Sequence, residues 1–378
     1  MSSKKFDVAI AGGGLIGASI ALELVRARLS VGVFDRQEPG QEASWAGAGI
    51  LSPAPESAAM ISLVPIAKAS MAIYPEFAGM VEEISGQSIG YRPAGTLQAI
   101  FSRDAREELS TVIALHHGLG LKAEPLSADD ARELEPAISE ELEAGVLRPE
   151  EASVDNRAMT QAVIEAARRS GVQFFSGNSV NAIWREGNRC VGLQLNNEKI
   201  EAKWTVIAAG CFSTNIEGVA TYAPVRPAKG QMIALRTDEL KIARVLWSEK
   251  IYLVPRNDGR ILAGATVEYT GFEKGLTAGG LAQVLAGAIE LAPGLENARV
   301  EETWAGLRPD SPDHLPILGP TDMAGLLIAT GHFRGGILLT PITAKLVREW
   351  VMHQHVSVDW DRFSPMRFQS ASTNRAPA

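Results

Sequence analysis

Two sets of residues in this 378-residue chain have the types and spacing to do chemistry. The first is Gly12-Gly13-Gly14-Leu15-Ile16-Gly17, a G-x-G-x-x-G run that follows the apolar stretch Phe6–Ile10 and opens an apolar segment, Leu15–Ala27. In this arrangement Gly12 permits a tight turn and Gly14 lets backbone N–H groups approach a pyrophosphate. Gly17 lets helix and strand pack closely. Free N–H groups at the start of a helix favour the anion. A second strand, Ser30–Phe34, ends in Asp35, whose carboxylate would accept hydrogen bonds from ribose hydroxyls and would repel a 2′-phosphate. A G-x-G-x-x-G that occurs by chance marks only a turn. Here strand, helix, second strand and terminal acid agree, and together they point to a dinucleotide.

The second set lies late in the chain: Trp304-Ala305-Gly306-Leu307-Arg308-Pro309, then Thr330-Gly331-His332-Phe333-Arg334-Gly335-Gly336-Ile337 before a helix expected from about Pro341 to Met352. With Val206–Ala209, closed by Gly210, these form a second glycine system that a nicotinamide dehydrogenase would not need. A helix N-terminus suits the negative N1–C2=O edge of a reduced flavin, so FAD is the expected dinucleotide. Arg308 stands in a rigid turn that could hold a planar cation for bidentate carboxylate binding. On the residues alone it reads equally as a structural or solvent-facing arginine, and Tyr252, among apolar strand neighbours, equally as a core tyrosine.

The elements that must position these residues read as an α/β chain of two domains. A discontinuous Rossmann-like FAD-binding domain is expected from 1–86, 145–215 and 301–369. A sheet-rich α+β substrate domain is inserted as 87–144 and 216–300. Asn257-Asp258-Gly259 between Ile251–Val254 and Arg260–Ala263 is a hairpin signal. The small polar stretch 370–378 reads as a disordered tail. With 46% hydrophobic and 21% charged residues the composition is that of a globular protein, and a formal net charge of −8 argues against a nucleic-acid partner. No run of about 18 uncharged apolar residues appears, so no membrane span is expected. Cys190 and Cys211 make neither a disulfide framework nor a metal motif, and no His/Cys/carboxylate cluster suggests a metal. A reduced, cytoplasmic setting is the simplest inference.

Over nearly all of residues 5–365 the chain resembles the D-amino acid oxidase family of FAD-dependent oxidoreductases, and within it the glycine oxidases of thiamine biosynthesis. The motifs that carry the resemblance are Trp304–Pro309 and Gly331–Leu339. It implies noncovalent FAD, because no cysteine follows Cys211. The cofactor would lie against Leu15, Ile16, Asp35, Arg36, Ala43, Ser44, Ala48, Gly49 and Ile50, with Val180 on the adenine side and Gly210 at a strand end. His332, Phe333, Arg334, Gly335, Gly336, Ile337 and Leu338 would wrap the isoalloxazine, with His332 serving through its backbone.

The resemblance makes Arg308 the carboxylate anchor and Tyr252 a second donor to that carboxylate. Arg334 would line the substrate site or serve as a flavin-site charge. The implied reaction is oxidative deamination of glycine, sarcosine or D-alanine by hydride transfer to flavin N5. It would yield imine or 2-oxo acid, ammonia and, with oxygen as acceptor, hydrogen peroxide. Hand-over to a thiazole synthase and a homo-oligomeric state are also implied. The alternatives are a D-amino acid dehydrogenase with a quinone acceptor and a sarcosine-type N-methyl amino acid oxidase. Lys250 stands where the pattern often has histidine, and Ser52–Pro55 and Val267 are expected to shape the room around Cα. Trp45 reads either as a cofactor-loop residue or as packing.

Overall fold

The computed structural model describes residues 4–369 apart from 103 and 197; the expected tail, 370–378, lies outside them. The chain builds two eight-stranded sheets. In the first, Lys5–Ala11 pairs in parallel with Val31–Phe34 on one side and Lys199–Ile207 on the other. Leu326–Thr330 extends the parallel order, and the hairpin Val180–Glu186/Arg189–Leu195 hangs from Lys199–Ile207. Parallel strands covered on both faces need apolar side chains at every position, which explains why Val8, Ala9, Ile10 and Ala11 follow one another without alternation.

The helices Leu15–Arg26, Val64–Ser85, Asn156–Arg169 and Thr340–His353 pack on one another and enclose the principal core. Asn156–Arg169 starts where it does because the Asp155 side chain accepts from the backbone N–H groups of Arg157 and Ala158. The one segment among the described residues that is long and apolar enough to cross a membrane, Ala58–Ser85, packs one face into the core here. Tyr74, Phe77 and Val81 are buried, and the Ser70 and Tyr74 hydroxyls donate to the carbonyls of Leu338 and Ile337 at 2.6 and 3.1 Å.

The second sheet runs in the order Arg299–Asp310, Arg226–Arg236, Arg260–Gly264, Tyr252–Pro255, Val245–Trp247, Thr96–Ile100, Ala144–Arg148, Glu124–Ser127. Residues 145–148 and 301–310, placed with the first domain by the sequence reading, are strands of this sheet. Each hydrogen-bonds a neighbour along its length, so the chain turns back toward the first sheet only after them. The expected hairpin joins Tyr252–Pro255 to Arg260–Gly264, with Gly259 at φ 86°.

Successive residues of a strand point to opposite faces, so the registers decide which side chains share a face. Reading across, Arg308, Gly306 and Trp304 lie on the same face as Gly230 and Met232, then Gly264, Tyr252, Trp247, Gln98 and Arg148. That face looks toward the first sheet's ligand end.

Tyr74→Phe should test how far the helix Val64–Ser85 supports the 336–338 turn. Loss of the hydroxyl leaves the Ile337 carbonyl short of a donor, and stability should fall by about 1–2 kcal/mol. The thermal midpoint of the cofactor-free protein measures it; an unchanged midpoint would show that the bond contributes nothing.

Candidate active site

A cavity of about 870 Å³ lies between the C-terminal ends of the first sheet's parallel strands and the inward face of the second sheet. Every residue expected to touch cofactor or substrate lines it except Gly17 and Val267. Gly17 sits behind the wall, where a Cβ would collide with the Gly12 carbonyl oxygen, so its part is the close packing read from the motif.

One end has the shape a dinucleotide requires. Gly12 has φ 104°, and a Cβ there would stand 2.5 Å from the Ala208 carbonyl oxygen. No acidic residue occupies the first turn of Leu15–Arg26, and its N-cap, Gly14, makes no side-chain cap, which leaves the helix start open to an anion. Ser44 Oγ accepts from Leu15 N at 2.9 Å. Asp35 accepts from Gly13 N and Gln37 N at 2.7 and 3.0 Å, and burial nevertheless pushes its carboxyl above the ordinary range. Its remaining lone pairs suit the two hydroxyls of a ribose. Arg36 lies over the Phe212 ring at 3.5 Å and pairs with Glu42. A turn that admits no Cβ at Gly12, a helix start without an acidic residue in its first turn and an acid at the second strand's end fit an adenine dinucleotide such as FAD.

The loop through Ala43, Ser44, Ala48, Gly49 and Ile50 is held by two residues that the sequence reading missed. Asn156 donates to the carbonyls of Ser44 and Trp45 at 2.9 and 2.8 Å. Arg256 donates to the Ala48 carbonyl and to Asn156 Oδ1, both at 2.8 Å. Burial brings the Arg256 guanidinium down to about 10. The sequence signal was weak: Arg256 merely follows the apolar Leu253-Val254-Pro255. Trp45 does not line the cavity; it packs under Arg157 at 3.7 Å and edge-on to Trp304, which settles its reading as packing.

Four arginines line the cavity, Arg36 at the dinucleotide end and Arg148, Arg308 and Arg334 beyond it. Arg36, Arg148 and Arg334 have carboxylates beside them: Glu42, Glu151 (at 3.9 Å) and Glu56. Arg308 has none among the described residues; its Nη1 donates to the Thr266 carbonyl at 3.2 Å. Thr266 is itself fixed, its hydroxyl accepting from Gln231 N at 3.0 Å and donating to Glu268 at 2.6 Å. Arg308 and the Tyr252 hydroxyl are hydrogen-bond neighbours, and burial raises the Tyr252 phenol above its usual range despite that cation. Met232 Sδ lies 3.3 Å from the Tyr252 hydroxyl, and the Trp247 ring is 5.5 Å from the Tyr252 ring.

Three glycines, Gly230, Gly264 and Gly306, floor this end. Of these the sequence reading had singled out none but Gly306, as part of a rigid turn with Arg308; both lie instead within the strand Arg299–Asp310, paired along its length with Arg226–Arg236. Val267, expected at the pocket, is 39% exposed and does not line the cavity, because its strand has already ended at Gly264. Lys250 lines the rim and pairs with Glu290 at 2.7 Å.

His332 is buried, and its Nε2 lies 3.1 Å from Thr343 Oγ1. Burial brings its imidazole down to about 4, so it is neutral throughout the physiological range. Both cysteines are free and buried; Cys211 lines the cavity, and burial pushes its thiol up to about 12. Among the described residues there is no metal-binding cluster.

Residues 7–350 match the family described as DAO, FAD dependent oxidoreductase. A bifunctional protein ThiO/ThiG of Trichormus variabilis is 35% identical over 97% of this chain and 56% of its own length. The chain thus spans about half the length of the first curated relatives it matches. A glycine oxidase of Geobacillus kaustophilus is 31% identical over 96% of this chain and 97% of its own. The crystal structure of glycine oxidase from that organism superposes with a TM-score of 0.91 at 30% identity, covering 97% of this chain and 99% of that one.

Gly12→Ala should fold but lose the dinucleotide, since the methyl meets backbone at Ala208 that has nowhere to move. Purified wild type should carry the yellow flavin absorbance, released by acid, and the variant should be colourless. Equal flavin content in the two would remove this turn from the binding site.

Proposed function

This chain belongs to the DAO family of FAD-dependent oxidoreductases, and on that premise we propose that it oxidises the Cα–N bond of glycine or a comparably small amino acid, with oxygen as acceptor. The observation that carries the reading is Arg308: a cation at the cavity floor that lacks a carboxylate among the described residues and has the Tyr252 hydroxyl beside it. An amino acid supplies the missing carboxylate. A glycine-sized substrate has few other handles, so a planar, bidentate cation must give most of its binding energy.

In this reading Arg308 clamps the substrate carboxylate, and the Tyr252 phenol, kept protonated by burial, donates a second hydrogen bond. Met232 and Trp247 crowd water away from that side of the site. Arg334, already neutralised by Glu56, acts at the mouth rather than as a second anchor. The residues assigned to the cofactor are those lining the dinucleotide end, with 332–338 beside the ring system. FAD, when bound, supplies the two-electron acceptor for the Cα hydrogen leaving as hydride and passes the electrons to oxygen as hydrogen peroxide. Among the described residues none is assigned as base: His332, brought down to about 4 by burial, is too weak a base to take the proton of an ammonium and is committed to Thr343, so the amine must arrive unprotonated. The resulting imine hydrolyses to a 2-oxo acid and ammonia, or passes to a thiazole synthase for thiamine biosynthesis. Relatives named bifunctional protein ThiO/ThiG support that hand-over. Two buried thiols kept free support a cytoplasmic setting.

Peroxide production measured across glycine, sarcosine and both alanine enantiomers tests the reading; no peroxide from any of them would sink it. Arg308→Ala should keep its FAD and lose substrate use. Removing one partner of a desolvated charge pair costs about 2–5 kcal/mol, so kcat/KM should fall roughly 30- to 5000-fold. A near-normal kcat/KM would take the anchor role from Arg308.

The pH profile tests the absence of a base. Burial brings His332, in the ring-binding turn, down to about 4, so it is already neutral across the range tested and its titration contributes nothing there. Activity should therefore follow the substrate amine, with kcat/KM rising from about pH 7 to about pH 9. A flat or falling profile would reveal a titrating group in the protein.

A further inference from the structure

We propose that Gly230 is a positioning residue for the carboxylate anchor, left without a side chain so that the Arg308 guanidinium can lie across the strand at that point. The proposal rests on Arg308 holding the substrate carboxylate. Gly230 sits within the strand Arg226–Arg236, opposite Gly306 and on the same face as Arg308. A Cβ at Gly230 would stand 2.5 Å from Nη2 and 2.7 Å from Cζ of Arg308, closer than Cβ atoms approach any group. The obstruction is therefore the planar head itself, not the stem.

Backbone geometry does not call for glycine here. The φ of Gly230 lies outside the left-handed region, so an L residue could adopt the same conformation. Glycine within a strand weakens it, because there is no side chain to pack and more conformational freedom to lose. What glycine gains is a flat seat. The guanidinium is held between the backbone at 230 and the Thr266 carbonyl at 3.2 Å, with the Tyr252 hydroxyl alongside. A methyl group at 230 would tilt the fork away from Thr266 and out of line with Tyr252, so a carboxylate would meet one donor instead of a matched set.

A double-mutant cycle on the FAD-loaded protein separates this from a packing role. Two quantities are read: KM and kcat for glycine by peroxide release, and the Kd of glycolate, a carboxylate without an amine, from its perturbation of the flavin absorbance. Gly230→Ala should retain FAD while raising the glycine KM and the glycolate Kd by about tenfold or more. In an Arg308→Ala background the same change should alter the glycolate Kd by less than about twofold, because the group it displaces is gone. Gly79→Ala, where a Cβ meets nothing within 4 Å, is the control and should change neither.

Independent effects that multiply in the double variant would overturn the proposal, as would a Gly230→Ala protein that behaves as wild type. If Gly230→Ala cannot hold FAD, Gly230→Ala with Arg308→Lys decides. A slim ammonium needs no flat seat, so FAD binding should return, and continued loss would show that Gly230 serves something other than the anchor. A wild type that oxidises no amino acid would end the proposed function, while the glycolate cycle would still report the coupling between positions 230 and 308. A wild type that gives no glycolate perturbation would overturn both.

Discussion

A guanidinium drawn partly out of water must be compensated, and among the described residues the fold compensates Arg308 with the Thr266 carbonyl and the Tyr252 hydroxyl but with no carboxylate. The charge is left under-satisfied in the one direction that faces the cavity. Around it the chain is generous with acids: Arg36, Arg148 and Arg334 line the same cavity and each has a carboxylate nearby. The contrast gives Arg308 its meaning. A cation with no carboxylate beside it among the described residues is what the proposed substrate would complete.

Keeping it in place falls to the second sheet. The pleat sends alternate side chains of 226–236 to opposite sides, so the strand that offers Gly230 to the cavity sends Lys229 and Gln231 to the other face. There Lys229 pairs with Glu268 at 2.8 Å, and Gln231 bonds both Glu268 and Thr277. Glu268 in turn accepts from Thr266, whose carbonyl reaches back to Arg308. A polar network beneath the sheet thus orients Arg308, the proposed anchor, above it. The dinucleotide end is built differently, from turns that exclude side chains and from Asn156 and Arg256, which tie down the 43–50 loop by its carbonyl oxygens.

Much of this was readable in the sequence where chemistry is local. Gly12, Gly14, Gly17 and Asp35 act within one strand–turn–helix–strand unit, so their spacing carries their geometry. Arg308 and Tyr252 were singled out by family resemblance. Their meeting depends on strand registers across Arg226–Arg236, Arg260–Gly264 and Tyr252–Pro255, which no local pattern encodes. Gly230 and Gly264 were missed for the same reason: a mid-strand glycine announces that something approaches closely but not what. Glu56 and Arg256 were invisible because each matters only through a partner far along the chain, Arg334 in one case and the Ala48 carbonyl in the other. The span of the second sheet was misjudged at 145 and 301 because an apolar run shows that a strand exists but not which sheet recruits it.

The two cysteines bear on the durability of a site proposed to release hydrogen peroxide. Peroxide attacks sulfur as thiolate, and the rate follows how much thiolate is present and how well it can be reached. Cys190 is buried and its thiol raised, and Cys211, on the cavity wall itself, is held near 12, so at neutral pH almost none of either is ionised. The same desolvation that shapes the cavity also makes its nearest sulfur a poor target for its own product. Such a protein would carry through many turnovers a resistance to self-inflicted oxidation that an exposed or anion-stabilised thiol at position 211 would forfeit.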